Sequence, residues 1–172
     1  MNKTALITTA LALVLLQLTP ATATAQRPSE PTIVGIALEN PAFSTLVAAV
    51  VKADLVAMLD GRRQFTVFAP TNDAFDAAAE ALLGEDFNGL DLVDVLAPET
   101  LRDILLYHVS PGARFSQTIL SSQRIRTVNK DFVFVDGFTL VGNETSANLI
   151  PSLVDIPARN GVIHVIDFVL LP

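Results

Sequence analysis

Hydrophobic and polar positions in this 172-residue chain follow two different periods, one after the other. Between Thr32 and Leu59 the apolar residues recur at helical spacing. Phe43, Leu46, Val47 and Val50 share one face, so this segment predicts helix in two or three pieces. Asn40-Pro41 breaks it, and Asp60-Gly61 ends it. Phe65 to Ala69 is a short apolar and β-branched run that reads as a buried strand. Pro70-Thr71-Asn72-Asp73 then turns the chain. Thr71 is placed to cap a helix that runs through Phe75 and closes near Gly84, because its hydroxyl can accept from a free backbone N–H. Another helix opens at Pro98-Glu99-Thr100 and ends at Pro111-Gly112. Leu101, Ile104, Leu105 and His108 fall at i, i+3, i+4 and i+7, which sends His108 from its apolar face. From Arg124 onward the period becomes two. Ile125, Val128, Phe132, Phe134, Phe138 and Leu140 belong to short strands separated by Asn129-Lys130, Asp136-Gly137 and Gly142-Asn143. Val162 to Leu171 forms the last strand. Helices followed by a run of strands point to the α+β class rather than alternating βαβ.

The N-terminus carries a different pattern. Lys3 precedes an almost unbroken apolar stretch from Ala5 to Leu18, and Pro20 and small residues follow. Ala21-Thr22-Ala23 and Ala23-Thr24-Ala25 both fit the small-x-small rule of a signal-peptidase site, so residues 1–25 read as a secretory signal peptide. Cleavage is expected after Ala25, with Ala23 as the alternative. A membrane span needs about 20 apolar residues, more than this stretch holds. The expected product is secreted or periplasmic, without stable membrane insertion. It has a flexible lead over residues 26–31 and one domain over 32–172, working as a monomer.

Composition narrows the chemistry. The chain has no cysteine, so its core must stabilise it without disulfides, and thiol catalysis and cysteine-based zinc sites are removed. The formal net charge is −7, and its placement matters more than its size. No Lys or Arg occurs from Gln64 to Leu101, whereas Arg102, Arg114, Arg124, Arg126 and Lys130 make the next stretch basic-leaning. A net negative field argues against nucleic acid and anionic membranes as partners. The acidic stretch reads as a solvated face, or as a docking surface for a cation or a basic partner.

Three segments carry a family resemblance. Phe65-Thr-Val-Phe-Ala-Pro-Thr-Asn-Asp-Ala-Phe75 resembles the first signature block of the fasciclin domain. Leu105-Leu-Tyr-His-Val109 is similar to its central Tyr-His block, and Asn160-Gly-Val-Ile-His-Val-Ile-Asp-Phe-Val-Leu-Leu-Pro172 to its closing block. The blocks stand in the family's order. The resemblance implies a wedge-like β-sandwich flanked by N-terminal and central helices, and a role in adhesion or extracellular interactions without catalysis. The Tyr-His block of animal members has been linked with receptor binding. By that implication Tyr107 and His108 lie near an exposed contact surface for a cell-surface protein or glycan, while Tyr107 reads equally well as a core residue. The integrin-type tetrapeptides of those members are not evident, and Asn129-Lys130-Asp131 is a partial likeness in the wrong block. With the closing block as the last segment, no glycolipid anchor is expected.

The motif residues also have a purely physical reading. Phe68 and Phe75 are core. Pro70, Thr71 and Asp73 fix the strand-to-helix corner, with Asp73 favoured at the positive end of the helix dipole. His108 and His164 read as satisfied core histidines, and Asn160, Gly161 and Asp167 as structural members of the closing block. Asp73, His108 and Ser44 or Ser110 invite a catalytic triad, but no Gly-x-Ser-x-Gly elbow is present. Two histidines in separate blocks fall short of a metal-binding helix face. No cofactor is expected. The alternative to an interaction module is a soluble carrier of a small lipophilic ligand such as a carotenoid, held in an apolar groove between helix and sheet. Asn143-Glu144-Thr145 is a glycosylation sequon in a predicted turn.

Overall fold

The computed structural model describes residues 30–172; the signal-peptide reading and most of the lead lie outside the described residues. The described chain is α+β, built around two four-stranded sheets. The first sheet has the order β2-β1-β8-β7, from β1 (Phe65–Pro70), β2 (Val109–Pro111), β7 (Ile156–Ala158) and β8 (Gly161–Ile166). The second has the order β3-β4-β5-β6, from β3 (Arg124–Arg126), β4 (Phe132–Asp136), β5 (Thr139–Val141) and β6 (Ser146–Asn148). β1 and β8 run parallel, with Phe65 opposite Gly161 and Pro70 opposite Ile166. A parallel pair needs a crossover, and here everything between the first and closing blocks forms it.

Every residue of β1 and β8 is buried, which makes the first sheet the central layer. Alternate side chains serve its two faces. Phe65, Val67, Ala69, Ile163 and Val165 enter one core with the helices, while Phe68 and Ile166 enter a second core with Ile125, Val133, Leu140 and Ala147 of the other sheet. The two sheets therefore pack face to face on one side, and helices cover the other. A bridge between Leu149, just past β6, and Ile166 at the end of β8 also links the two sheets.

The helical layer comprises α1 (Ile33–Glu39), α2 (Ser44–Lys52), α3 (Val56–Leu59), α4 (Asn72–Leu83), α5 (Gly89–Val95) and α6 (Pro98–Tyr107). A seventh helix, α7 (Ser116–Leu120), lies against the second sheet through Ile119. Helix ends leave backbone groups without intrahelical partners, and here neighbouring helices supply many of them. Asn72 of α4 accepts from the Thr45 N–H (3.1 Å) and Ser44 hydroxyl (3.2 Å) at the start of α2, and its amide donates to the Pro41 carbonyl (2.9 Å). Asp76 accepts from the Gly89 N–H that starts α5 (2.7 Å). Lys52 donates to the Val93 and Asp94 carbonyls near the end of α5, both at 2.8 Å, and Arg102 of α6 donates to Ala53 O (3.0 Å) just past α2. Thr71 caps its own helix, accepting from the Ala74 N–H (3.3 Å). Gly89 allows the close α4–α5 approach, since a Cβ there would sit 2.5 Å from Phe75 Cβ.

Three expectations change in detail. The helix opened by Pro98 stops at Tyr107, not at Pro111-Gly112, because Val109 and Ser110 leave it to pair with Val67 and Thr66 of β1. The last strand stops at Ile166 rather than Leu171. Beyond it the backbone N–H groups bond to side chains instead, Leu170 to His108 (2.9 Å) and Leu171 to the Thr145 hydroxyl (2.8 Å). Val128 and Phe138 lie outside the strands, and the short elements α5, α7, β2, β6 and β7 carry too few residues to display a period.

The corner where β8 begins is the most constrained point. Asn160 is 2% exposed. Its amide donates to Leu59 O (2.6 Å) and Gly61 O (3.0 Å), and its oxygen accepts from the Ile33 N–H (2.9 Å). One side chain thus ties α1, the end of α3 and β8. At Gly161 an added Cβ would stand 1.9 Å from the Phe65 carbonyl oxygen. Asn160→Ala strands three buried backbone groups and is expected to cost about 3 kcal/mol. Gly161→Ala, which must push β1 and β8 apart, should cost at least as much. Chemical denaturation of both variants tests this; wild-type stability in either one refutes it.

Candidate functional site

The candidate site begins with the Tyr107-His108 pair at the end of α6. Tyr107 is fully enclosed and His108 is 2% exposed, which corrects the expectation of a contact surface at this pair. The physical reason is that α6 ends between the two cores. Tyr107 turns into the core of the second sheet and donates its hydroxyl to Phe132 O on β4 (3.0 Å); burial pushes its pKa up. His108 turns the other way. Its Nδ1 lies 2.8 Å from Ile104 O, and its Nε2 accepts from the Leu170 N–H (2.9 Å). The Leu170 bond requires a bare Nε2, so the proton sits on Nδ1 and the ring is neutral.

His164 repeats this with the opposite tautomer. Nε2 faces Arg114 O (2.8 Å) and Nδ1 accepts from the Asp155 N–H (3.2 Å). Its ring packs beside Phe68, with centroids 5.9 Å apart. Desolvation lowers both histidine pKa values, that of His108 to about 4. For His164 the Arg114 carbonyl and Asp155 act against that fall without reversing it. Asp155 holds a left-handed backbone (φ 59°) and receives the Ser116 N–H at 2.6 Å, tying β7 to the start of α7. Partial burial works against ionisation of Asp155, but Ser116 and His164 outweigh it and its pKa falls.

The remaining sequence-selected residues do not converge on these rings. Phe68 and Phe75 are buried in separate cores, and Pro70 ends β1. Asp73 is exposed in the first turn of α4. Asp167 accepts from Asn148 N–H (2.6 Å) and Nδ2 (2.9 Å), locking β6 to the end of β8. Ser110 donates to Arg126 O (2.9 Å) and Ser44 to Asn72, so the serines considered for a triad are engaged elsewhere. Asn129 accepts from the Asp131 N–H (3.2 Å) and works as a turn residue. Asn143 is exposed in the β5–β6 turn, while Thr145 of the same sequon donates to Val169 O (2.8 Å). Among the described residues no group of three His, Cys, Asp or Glu is placed to hold a metal, and no single helix is long and apolar enough to cross a membrane.

Two surfaces stand out instead. On the outer face of the second sheet, strand alternation presents Arg124 and Arg126 of β3, Phe132 and Phe134 of β4, and Val141 of β5. Phe134 is 50% exposed and Phe138, in the adjoining turn, 47%. The Arg124 guanidinium lies 4.7 Å from the Phe132 ring centroid, a cation–π contact. Alternation from Ile125 and Val133 inward was the signal for this face. The second surface is an apolar pocket of about 100 Å³ between α1, α2 and β1, lined by residues such as Val34, Leu46, Val50 and Val67.

The sequence profile of the Fasciclin domain matches residues 41–172. The chain belongs to the fasciclin-domain family. α1 precedes the matched region, although Asn160 and Ile33 bind it into the same core. This fasciclin domain is 41% identical over 149 residues to Protein sll1483 of Synechocystis, covering 84% of the chain and 75% of that protein. Pig transforming growth factor-beta-induced protein ig-h3 is 32% identical over 139 residues, covering 76% of the chain but 18% of ig-h3. The fold matches a FAS1 domain pair from the insect cell adhesion molecule Fasciclin I, with a TM-score of 0.68, 19% identity, and coverage of 84% of this chain and 52% of that one.

The two buried histidines give this fasciclin domain a defined pH response. The unfolded chain takes up protons on histidine below pH 6.5, whereas folded His108 resists until about pH 4. Stability is thus fully present above pH 6.5 and is lost as pH falls towards 4. For His108 that window corresponds to roughly 3 kcal/mol; His164 acts with the same sign. Denaturant titrations between pH 4.5 and 7.5 should show a steep wild-type slope that His108→Gln flattens. Equal slopes in the two proteins refute the assignment.

Proposed function

We propose that this fasciclin domain is an exported, non-catalytic interaction module. It works as a monomer, secreted or periplasmic, and holds an extracellular or cell-surface protein or glycan through the outer face of its second sheet. The observation that carries this reading is the exposed aromatic row of Phe132, Phe134 and Phe138, with Val141 beside it and Arg124 over Phe132. A patch of exposed rings rimmed by polar residues is the composition of a recognition surface. The saturated histidines support the non-catalytic part. Each ring already meets two backbone groups, and neither nitrogen is open to a substrate proton. The structural neighbour from an insect cell adhesion molecule supports the adhesive part.

Labelled protein added to envelopes of the source organism should be retained, and Phe134→Glu should reduce retention severalfold without lowering the melting temperature. The Phe134 ring is half exposed, so folding has little stake in it. Undiminished retention by Phe134→Glu and Phe138→Glu would remove this face from consideration.

A second reading, carriage of a lipophilic ligand, is favoured by the apolar pocket under α1, whose lining is aliphatic apart from Phe68 and His108. Its volume of about 100 Å³ is small. Drug-sized ligands occupy roughly 300–1,000 Å³, so a carotenoid requires α1 to swing away from α2. The two readings separate on one sample. Protein purified from its native host should have the intact mass of a chain beginning at Gln26 and no visible absorption band. A pigment band that travels with the protein would replace the first reading with the second.

A further inference from the structure

The basic residues of this acidic protein divide into two groups. Lys52 and Arg102 are spent on helix ends, and Arg114 is half-buried. The other six among the described residues, Arg62, Arg63, Arg124, Arg126, Lys130 and Arg159, are exposed. None of the six has a carboxylate within 4 Å among the described residues, where His164–Asp155 forms the one such contact. Five of them line two recesses on either side of the loop that joins α3 to β1. Arg63, Arg126 and Lys130 stand around the first, of about 370 Å³, whose floor is apolar and includes Met58 and Phe65. Arg62 and Arg159 line the second, of about 270 Å³. No acidic residue lines either recess.

We propose that this double recess binds an acidic polysaccharide, a chain bearing about one carboxylate per sugar ring. The proposal rests on the interaction-module reading and names its partner class; Arg126, on the outer face of the second sheet, also borders the first recess, so the recesses extend that face. Guanidinium groups pair with carboxylates through two parallel hydrogen bonds. The loop that presents Arg62 and Arg63 is held in place, since Asn160 grips Gly61 O and the carboxylate of Asp60 receives the Thr32 hydroxyl. That last bond turns the loop's own negative charge towards α1. Asp131, beside Lys130 at the first recess, is met by the Asn129 amide (3.4 Å).

Two recesses with separate charges favour a polymer over a lone anion, because a chain seated in one gains the other at high effective concentration. A net charge of −7 repels a dense polyanion such as DNA, with one charge per roughly 1.7 Å of axis. Sparsely charged glycans suffer this less. Anionic membranes present a flat surface, whereas these cations stand around concavities, and the apolar floor of the first suits the face of a sugar ring.

The test uses polygalacturonate as probe, with neutral dextran, single-stranded DNA and phosphatidylglycerol vesicles beside it. Wild-type protein should bind polygalacturonate at low salt and lose it as rising salt screens the charges. Arg63→Glu with Lys130→Glu, and separately Arg62→Glu with Arg159→Glu, should each weaken binding by roughly tenfold. Glu80→Lys on the acidic helix α4 should not. Thermal melts check folding, and Arg63→Gln and Arg62→Gln repeat the measurement should a double variant misfold. Absent wild-type binding, unchanged affinity in both double variants, or preference for DNA or vesicles overturns the proposal. If envelope retention survives without polygalacturonate binding, only the polysaccharide assignment falls; loss of both removes the module reading as well.

Discussion

The parallel pairing of β1 with β8 is the constraint on which everything else rests. It joins two six-residue strands that begin 96 positions apart at Phe65 and Gly161 and are buried along their whole length. Such a contact is reached only after a long loop has closed, and loop closure costs conformational entropy before any contact offsets it. Asn160 and Gly161 resolve this physically. Asn160 docks the incoming strand on α1 and α3, and Gly161 lets its backbone pass beside Phe65 without a side chain between them. With β1 and β8 fixed, helices have one face to cover and the second sheet has the other.

Small secreted domains commonly rely on disulfides, and this chain has no cysteine. Long-range side-chain-to-backbone hydrogen bonds tie distant segments instead. His108 holds the C-terminal segment, Asp155 the start of α7, Asp167 the end of β6, and Thr66 the turn at Gly112. Apart from the exposed Asp167 link, these bonds are buried or half-buried, so they are stronger than equivalent surface bonds and costly to leave half made. A histidine suits the role only while neutral, since it must offer one donor and one acceptor at once. Burial enforces that state, which is why a structural device also sets the acid limit of the fold.

Where a residue's role is set by its neighbours in sequence, it was legible from sequence. Thr71 as a cap, Gly84 as a helix end, the buried run at Phe65 and the α+β order all follow from local stereochemistry. Roles set by distant partners were not. Nothing near Asn72 reveals that it caps α2, and nothing near Tyr107 says that a second sheet will close over it. The outward face of the aromatic strand β4 was hidden for a related reason. Phe132 and Phe134 alternate with Val133 and Val135, all four are apolar, and hydrophobicity alone cannot say which pair faces inward. Only the β3 partners, Arg124 and Arg126 against Ile125, mark the outer face, and three residues are too few to display a period.

The signature blocks and the surfaces proposed for function barely overlap. Phe68, Tyr107, His108, Asn160, Gly161 and His164 are all buried, so similarity in these blocks transmits the fold and carries little information about a partner. The surfaces proposed for recognition lie instead on β3, β4 and the loop before β1, where residues can vary without harming the core. This division explains how one scaffold can serve proteins of very different size, from a compact bacterial relative to a long animal one in which a matching stretch is 18% of the whole. It also explains why the charge pattern deserves more weight here than the motif. Exposed cations without carboxylate partners add no ion pair to the fold. On an acidic domain, their gathering around two recesses free of acids is accounted for by what they meet outside it.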